Sequence, residues 1–222
     1  MHFPVVILAS SRKNGGICLA GRRLDGAASA WVRPVSRLAG QSWPRRSLQI
    51  LAGGVPGIGD RISLPIAASC PEGHQRENVG VRFEQWQRQG RIDVRALPAL
   101  LDMPETLWRN GWHSVHGWND RVPGEIAAHE CRHSLLLVRP QALHFRLSVQ
   151  GSDLVLRAAF VYRGERHVLR VTDEQACQRW LARLADGHSG CSDALLCLSL
   201  GLPFNGYCYK LVAGVIEPGA QG

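Results

Sequence analysis

Four short clusters hold the side chains that could do chemistry. Ser10-Ser11-Arg12-Lys13-Asn14 gathers donors beside Gly15-Gly16, where a backbone without Cβ can approach an anionic ligand closely. Trp31 and Arg33 stand two residues apart in a strand-like run and so share a face. A ring beside a guanidinium suits stacking on a base while gripping a phosphate; a core tryptophan with a solvated arginine fits the spacing equally well. His74-Gln75-Arg76-Glu77-Asn78 is too polar in succession to read as core. Its His, Gln and Asn could meet base edges or a sugar hydroxyl, or tie down a loop through bonds to the backbone. His74 and Glu77 could alternatively act as base and orienter in a nucleic-acid-processing enzyme.

The fourth cluster, His129-Glu130-Cys131-Arg132-His133, matches H-E-x-x-H. On a helix that spacing sets two zinc ligands one turn apart with the glutamate as general base. Arg132 inside the motif, the lack of a third ligand at a recognised spacing, and the strand-like Leu135-Leu136-Leu137-Val138 that follows at once all argue against a metalloprotease. A polar interdomain loop is the preferred reading.

The elements that must position these groups are mostly strands. Val5–Ala9, residues 17–24 and 30–35 read as a meander, with Ser10 to Asn14 in its first loop and Asp25-Gly26 as its second turn. Residues 37–46 read as loop, 47–51 as a resumed strand, and the Gly-rich 53–59 as a break before a strand at 60–66. Residues 92–109 are helical in pattern, with Asp93 as N-cap and Leu97, Leu100 and Leu101 on one face. Residues 111–122 read as a stacking platform or a connector pinned by its tryptophans. Strands then return at 135–138, 143–149, 154–162 and 167–171, broken by turns at Gly151-Ser152-Asp153 and Arg163-Gly164-Glu165. A helix over 174–185 and strands at 195–200 and 207–216 close the chain.

Composition narrows the partners. The 222 residues carry 26 Lys+Arg against 18 Asp+Glu, a net charge of +8, and Lys13 and Lys210 are the only lysines. Arginine is suited to bidentate grip on phosphate or guanine, so nucleic acid is favoured over a neutral small molecule. The seven cysteines are odd in number and form no C-x-x-C pair, which points to buried thiols in a reducing compartment. No signal peptide or membrane span is evident, and the expected location is cytoplasmic.

ILASSRKNGGICLAGRRLD, AWVRPVS, His74-Gln75-x-Glu77-Asn78, Arg170-Val171-Thr172-Asp173 and the terminal LCLSLGLPFNGYCYKLVAGVI together resemble the bacterial dual OB-containing domain family, across nearly the whole chain. The resemblance implies two tandem OB-type barrels and a nucleic-acid-binding role in bacterial defence or nucleic-acid-modification systems. The expected fold is therefore mainly β, two OB-like small barrels with short helices, the first over 1–128 with a helical insertion and the second over 129–222.

The function expected is a binding module for single-stranded or distorted DNA or RNA. Arg12, Lys13, Arg33 and Lys210 would neutralise phosphates; Trp31 and Tyr209 would stack bases; His74, Gln75 and Asn78 would add polar contacts. DNA or RNA is the expected partner, with other proteins of the same operon as a second class and no membrane. No cofactor, metal or catalytic residue is assigned. The competing functions are an enzyme using His74 and Glu77 and a protein-interaction adaptor.

Overall fold

The apolar, β-branched run near the N-terminus is buried on both faces, Val5 through Leu8 being wholly inaccessible, as suits a central strand. A computed structural model describes residues 2–25, 30–36, 42–82 and 84–217. It divides into two compact units, Met1–Leu100 and Leu101–Gly222. Residues 101–128, which the sequence reading gave to the first barrel, pack with the second. The chain is mainly β throughout.

In the first unit, β1 (Phe3–Lys13), β2 (Gly16–Arg23), β3 (Trp31–Val35), β4 (Asp60–Leu64), β5 (Ile66–Ser69), β6 (Asn78–Val81) and β7 (Gln87–Arg91) form one sheet in the order β5-β6-β3-β2-β1-β4-β7. The turn between β1 and β2 is shorter than expected. Asn14 and Gly15 both have positive φ, 47° and 76°, and Lys13 faces Gly16, the geometry of a tight two-residue hairpin. Ser10 to Lys13 are therefore strand residues rather than a ligand-cradling loop. Residues 47–51 are not a strand but lie within α1 (Arg45–Ala52), whose Leu48, Leu51 and Ala52 repeat at helical spacing against the core. Gly53 ends it at φ 66°, in the left-handed region. Trp43 and Trp86 meet edge-to-face over this core at 5.3 Å. A 3-10 helix, Val94–Leu100, follows, begun by Asp93 accepting from the Arg95 N–H at 2.9 Å. Pro98 lies inside it, and the helical reading does not extend to residue 109, where Trp108 instead takes φ 59°.

The second unit holds β8 (Arg121–Pro123), α2 (Gly124–Glu130), β9 (Leu135–Val138), β10 (Gln141–Gln150), β11 (Asp153–Tyr162), β12 (Glu165–Val171), α3 (Glu174–Ala185), β13 (Gly190–Cys191), β14 (Leu195–Leu200) and β15 (Tyr207–Ile216). The order is β13-β10-β11-β12-β15-β14-β9, with β8 on β15. β12 and β15 are parallel and meet only at Arg170/Leu211 and Val171/Val212. Where they part, Trp118 exchanges backbone hydrogen bonds with Val168, and Lys210 N–H donates to the Asp120 carbonyl at 2.8 Å. The connector thus completes the sheet. One sheet face closes on a core of Phe145, Phe160, Leu169 and Trp180, with Phe145 and Trp180 stacked at 4.1 Å. Asp173 starts α3 and ties it to the sheet: one oxygen accepts from Ala176 N–H and the other from Val215 N–H, each at 3.0 Å. Burial pushes its carboxyl pKa up, against those hydrogen bonds.

Candidate nucleic-acid interface

Directly paired residues point to the same sheet face, so strand register decides which side chains can act together. In the first unit Arg61, Val6, Arg22 and Trp31 occupy successive positions across β4, β1, β2 and β3. The Arg22 guanidinium lies 4.4 Å over the half-buried Trp31 ring, a cation–π stack that already covers one side of it. Arg33, two residues on, shares this face but is only 6% exposed. It lies 3.2 Å from Glu77 Oε1 and donates to Asn78 Oδ1 at 3.2 Å. Arg33 is thus an internal tie rather than a solvent-facing phosphate grip.

The same pairing takes the polar segment inside. β3 runs parallel to β6 with Arg33 opposite Asn78, and His74, Gln75 and Asn78 are all buried. The expectation that these residues could not be core is corrected by this. A long-range strand pair supplies partners that a local reading does not contain. Arg12 is exposed and Lys13 half-buried at the end of β1; as consecutive strand residues they face opposite ways. Lys13 and Arg33 both lie close enough to Cys18 to pull its thiol pKa down, although burial, the larger effect, pushes it up.

Tyr209 and Lys210 belong to the second unit, again on opposite faces of their strand. Lys210 is 1% exposed, its ammonium donating to Asn110 Oδ1 at 2.9 Å. Burial lowers its pKa from 10.5 to about 7, against the pull of Asp120 and Cys131. His167 is buried beside it, stacked on Phe160 at 5.3 Å. Its pKa falls to about 4 through burial first and Lys210 second, with the Asn119 backbone opposing weakly. These two groups belong to the interior and present no charge to solvent.

Tyr209 faces the other way, onto a surface that carries several rings and guanidinium groups. It is half-buried and paired with Arg121. Arg121 lies 4.0 Å over Tyr207. Trp118, bridged to Val168 and 42% exposed, carries Arg166 at 4.9 Å and stacks on His113 at 4.0 Å. On the same face the register sets Arg146 opposite Arg157, Arg157 opposite Arg170, and Arg170 opposite Leu211. Three arginines therefore cross β10, β11 and β12 in a row. Arg146 and Arg170 are exposed. Arg157 is buried, donating to Ser148 Oγ at 2.9 Å and Gln150 Oε1 at 3.3 Å. Burial and the flanking Arg170 and Arg146 lower its pKa, against the attraction of Asp120.

Trp118 and Arg121 lie within residues 111–122, weighed from sequence as a stacking platform or a pinned connector, whereas Arg146, Arg157, Arg166, Arg170 and Tyr207 were not among the site residues expected from sequence. The signal for the arginine row was present in two turns. Gln150 faces Asp153 and Tyr162 faces Glu165; equal steps away from each turn lead to Arg146, Arg157 and Arg170.

The H-E-x-x-H segment does not form a ligand pair on a helix. α2 ends at Glu130, and Cys131 is extended at φ −83°, ψ 120°. Glu130 is ion-paired with Arg109, and the His133 carbonyl accepts from Trp108 Nε1 at 2.9 Å. Among the described residues no group of three or more His, Cys, Asp or Glu could hold a metal ion, and no helix is long and apolar enough to cross a membrane.

Compared with known proteins, residues 4–215 match a family model described as the dual OB-containing domain. No curated protein and no solved structure matches the chain.

Proposed function

Because the chain belongs to the dual OB-containing domain family, we propose that it is a nucleic-acid-binding module whose principal surface is the solvent-facing side of the second sheet. One observation carries this reading: arginines and aromatic rings alternate on that face, with Arg121 on Tyr207 and Arg166 on Trp118. Rings offer sequence-tolerant stacking to bases, and the adjoining guanidinium groups meet phosphate oxygens. The net charge of +8 supports the same partner through long-range attraction. Trp31 with Arg22 forms a smaller patch of the same chemistry in the first unit. A setting in bacterial defence or nucleic-acid modification is part of this proposal and rests on family resemblance alone.

The test is fluorescence anisotropy with single- and double-stranded DNA and RNA oligonucleotides at two salt concentrations. Affinity should fall as salt rises, because each neutralised phosphate releases counterions. Tyr209→Ala should weaken binding by roughly 5- to 100-fold, the range for loss of one stacked base. Absence of binding, or binding indifferent to salt, would refute the proposal.

A further inference from the structure

We infer that Arg146 and Arg170, the exposed ends of the row, form a phosphodiester-binding track along which a single nucleic-acid strand crosses β10, β11 and β12, the buried Arg157 between them adding its charge from beneath without a contact of its own. This inference rests on the nucleic-acid reading above and names the part of that surface that holds the backbone. Like charges directly opposite one another in a sheet are destabilising, yet here two such pairs share a member. The middle guanidinium is also buried, and its hydrogen-bond partners, Ser148 and Gln150, are neutral. Asp120, the carboxylate that attracts Arg157, also accepts from the Ser114 N–H at 2.7 Å and the Ser114 hydroxyl, and it is one negative charge against three guanidinium groups. The row therefore holds unbalanced positive charge, with its central side chain oriented in advance by Ser148.

An anion with several charged oxygens in line satisfies this arrangement. Neighbouring strands lie about 4.8 Å apart, so the row spans about 10 Å, a length suited to consecutive phosphates of one chain. Beyond Arg170 the same face continues through Leu211 to Tyr209 and Tyr207. A strand gripped at the arginines would thus have rings within reach for its bases. Phosphates supply the charge compensation and rings the stacking, the division of labour expected for single strands.

The experiment measures salt-dependent binding of a fluorescent single-stranded oligothymidylate, a blunt duplex of equal length, and inorganic polyphosphate. It compares the wild type with the exposed-residue double variant Arg146→Gln/Arg170→Gln and with Arg157→Met. The double variant should lose about 1.4 from the slope of log K against log salt, about 0.7 for each single-strand phosphate contact, and at least tenfold in affinity at low salt. Its thermal midpoint at low salt should equal or exceed that of the wild type, because repulsion on Arg157 is relieved. Arg157→Met, which removes a buried charge but no phosphate contact, should weaken affinity at low salt with less than half the slope change of the double variant if folded; if it fails to fold, the double variant alone decides. Oligonucleotide binding with an unchanged slope would overturn the track while leaving the broader reading intact. No oligonucleotide binding at all would overturn both. Polyphosphate binding as tight as oligothymidylate, or a duplex preference, would overturn the single-strand assignment.

Discussion

Lys210 separates a buried structural charge from a binding one. Its ammonium is held near pH 7 in the folded chain against 10.5 for the free side chain. At about 1.4 kcal/mol per pH unit, keeping it charged inside costs up to about 5 kcal/mol. The sign follows from proton counts. Between pH 7 and 10.5 the unfolded chain binds the proton and the folded chain releases it, so wild-type stability rises with pH across that window. Below pH 7 both states are protonated and the full penalty is present. Lys210→Met keeps most of the stem's packing and removes the charge. It also removes the bond to the half-buried Asn110, worth about 1 kcal/mol. Urea unfolding at pH 6, 8 and 10 should show the variant more stable by about 2 to 4 kcal/mol at pH 6, with the gap closing by pH 10. Burial holds the thiols of Cys177, Cys191 and Cys208 near pKa 11. They lower stability above pH 9 in both proteins, and Cys131 is coupled to Lys210 itself, so the rise between pH 7 and 9 is the part of the difference curve that reports on Lys210. Oligonucleotide affinity should be unchanged at pH 7.5. Equal pH slopes in the two proteins, or a binding loss comparable to that of the Arg146→Gln/Arg170→Gln double variant, would refute the reasoning.

Arg33→Ala should destabilise the first unit by about 3 to 5 kcal/mol by removing the guanidinium paired with the buried Glu77 carboxylate, whereas Arg33→Met with Glu77→Leu should recover most of that; paired thermal melts measure both. Gly21→Ala would place a Cβ 2.0 Å from the Val6 carbonyl oxygen, and it should cost more than 3 kcal/mol or abolish folding, read by circular dichroism. His129→Ala/His133→Ala should leave stability within about 0.5 kcal/mol of wild type, and chelation should leave oligonucleotide binding unchanged, since the two residues do not share a helix; a binding loss with EDTA would reopen the metal reading.

What could be read from the sequence, and what could not, follows the range of the forces involved. The closing strands and α3 are local events. Asp173 caps the helix through the residue three positions on, and Tyr207 to Ile216 is a long enough, mostly apolar run to read as a strand alone, its burial alternating as far as Val212. The family resemblance likewise anticipated two mainly-β units. The site was less legible because side chains were chosen by type and local spacing, while their exposure is set by distant pairing. Arg33 and Trp31 do share a face, as their spacing required, but β6 arrives beside β3 from more than forty residues away and takes the guanidinium for Glu77. Lys210 and Tyr209 are neighbours in sequence, and strand alternation sends one into the core and the other onto the surface. The arginine track is the intermediate case. Each of its pairs is local to one hairpin, so the two turns determine it, but its meaning as a row appears only when both hairpins are counted from their turns together. In a β-rich chain of this kind, counting outward from each tight turn to find like charges that meet across strands locates a binding surface more directly than searching the loops for clustered polar residues.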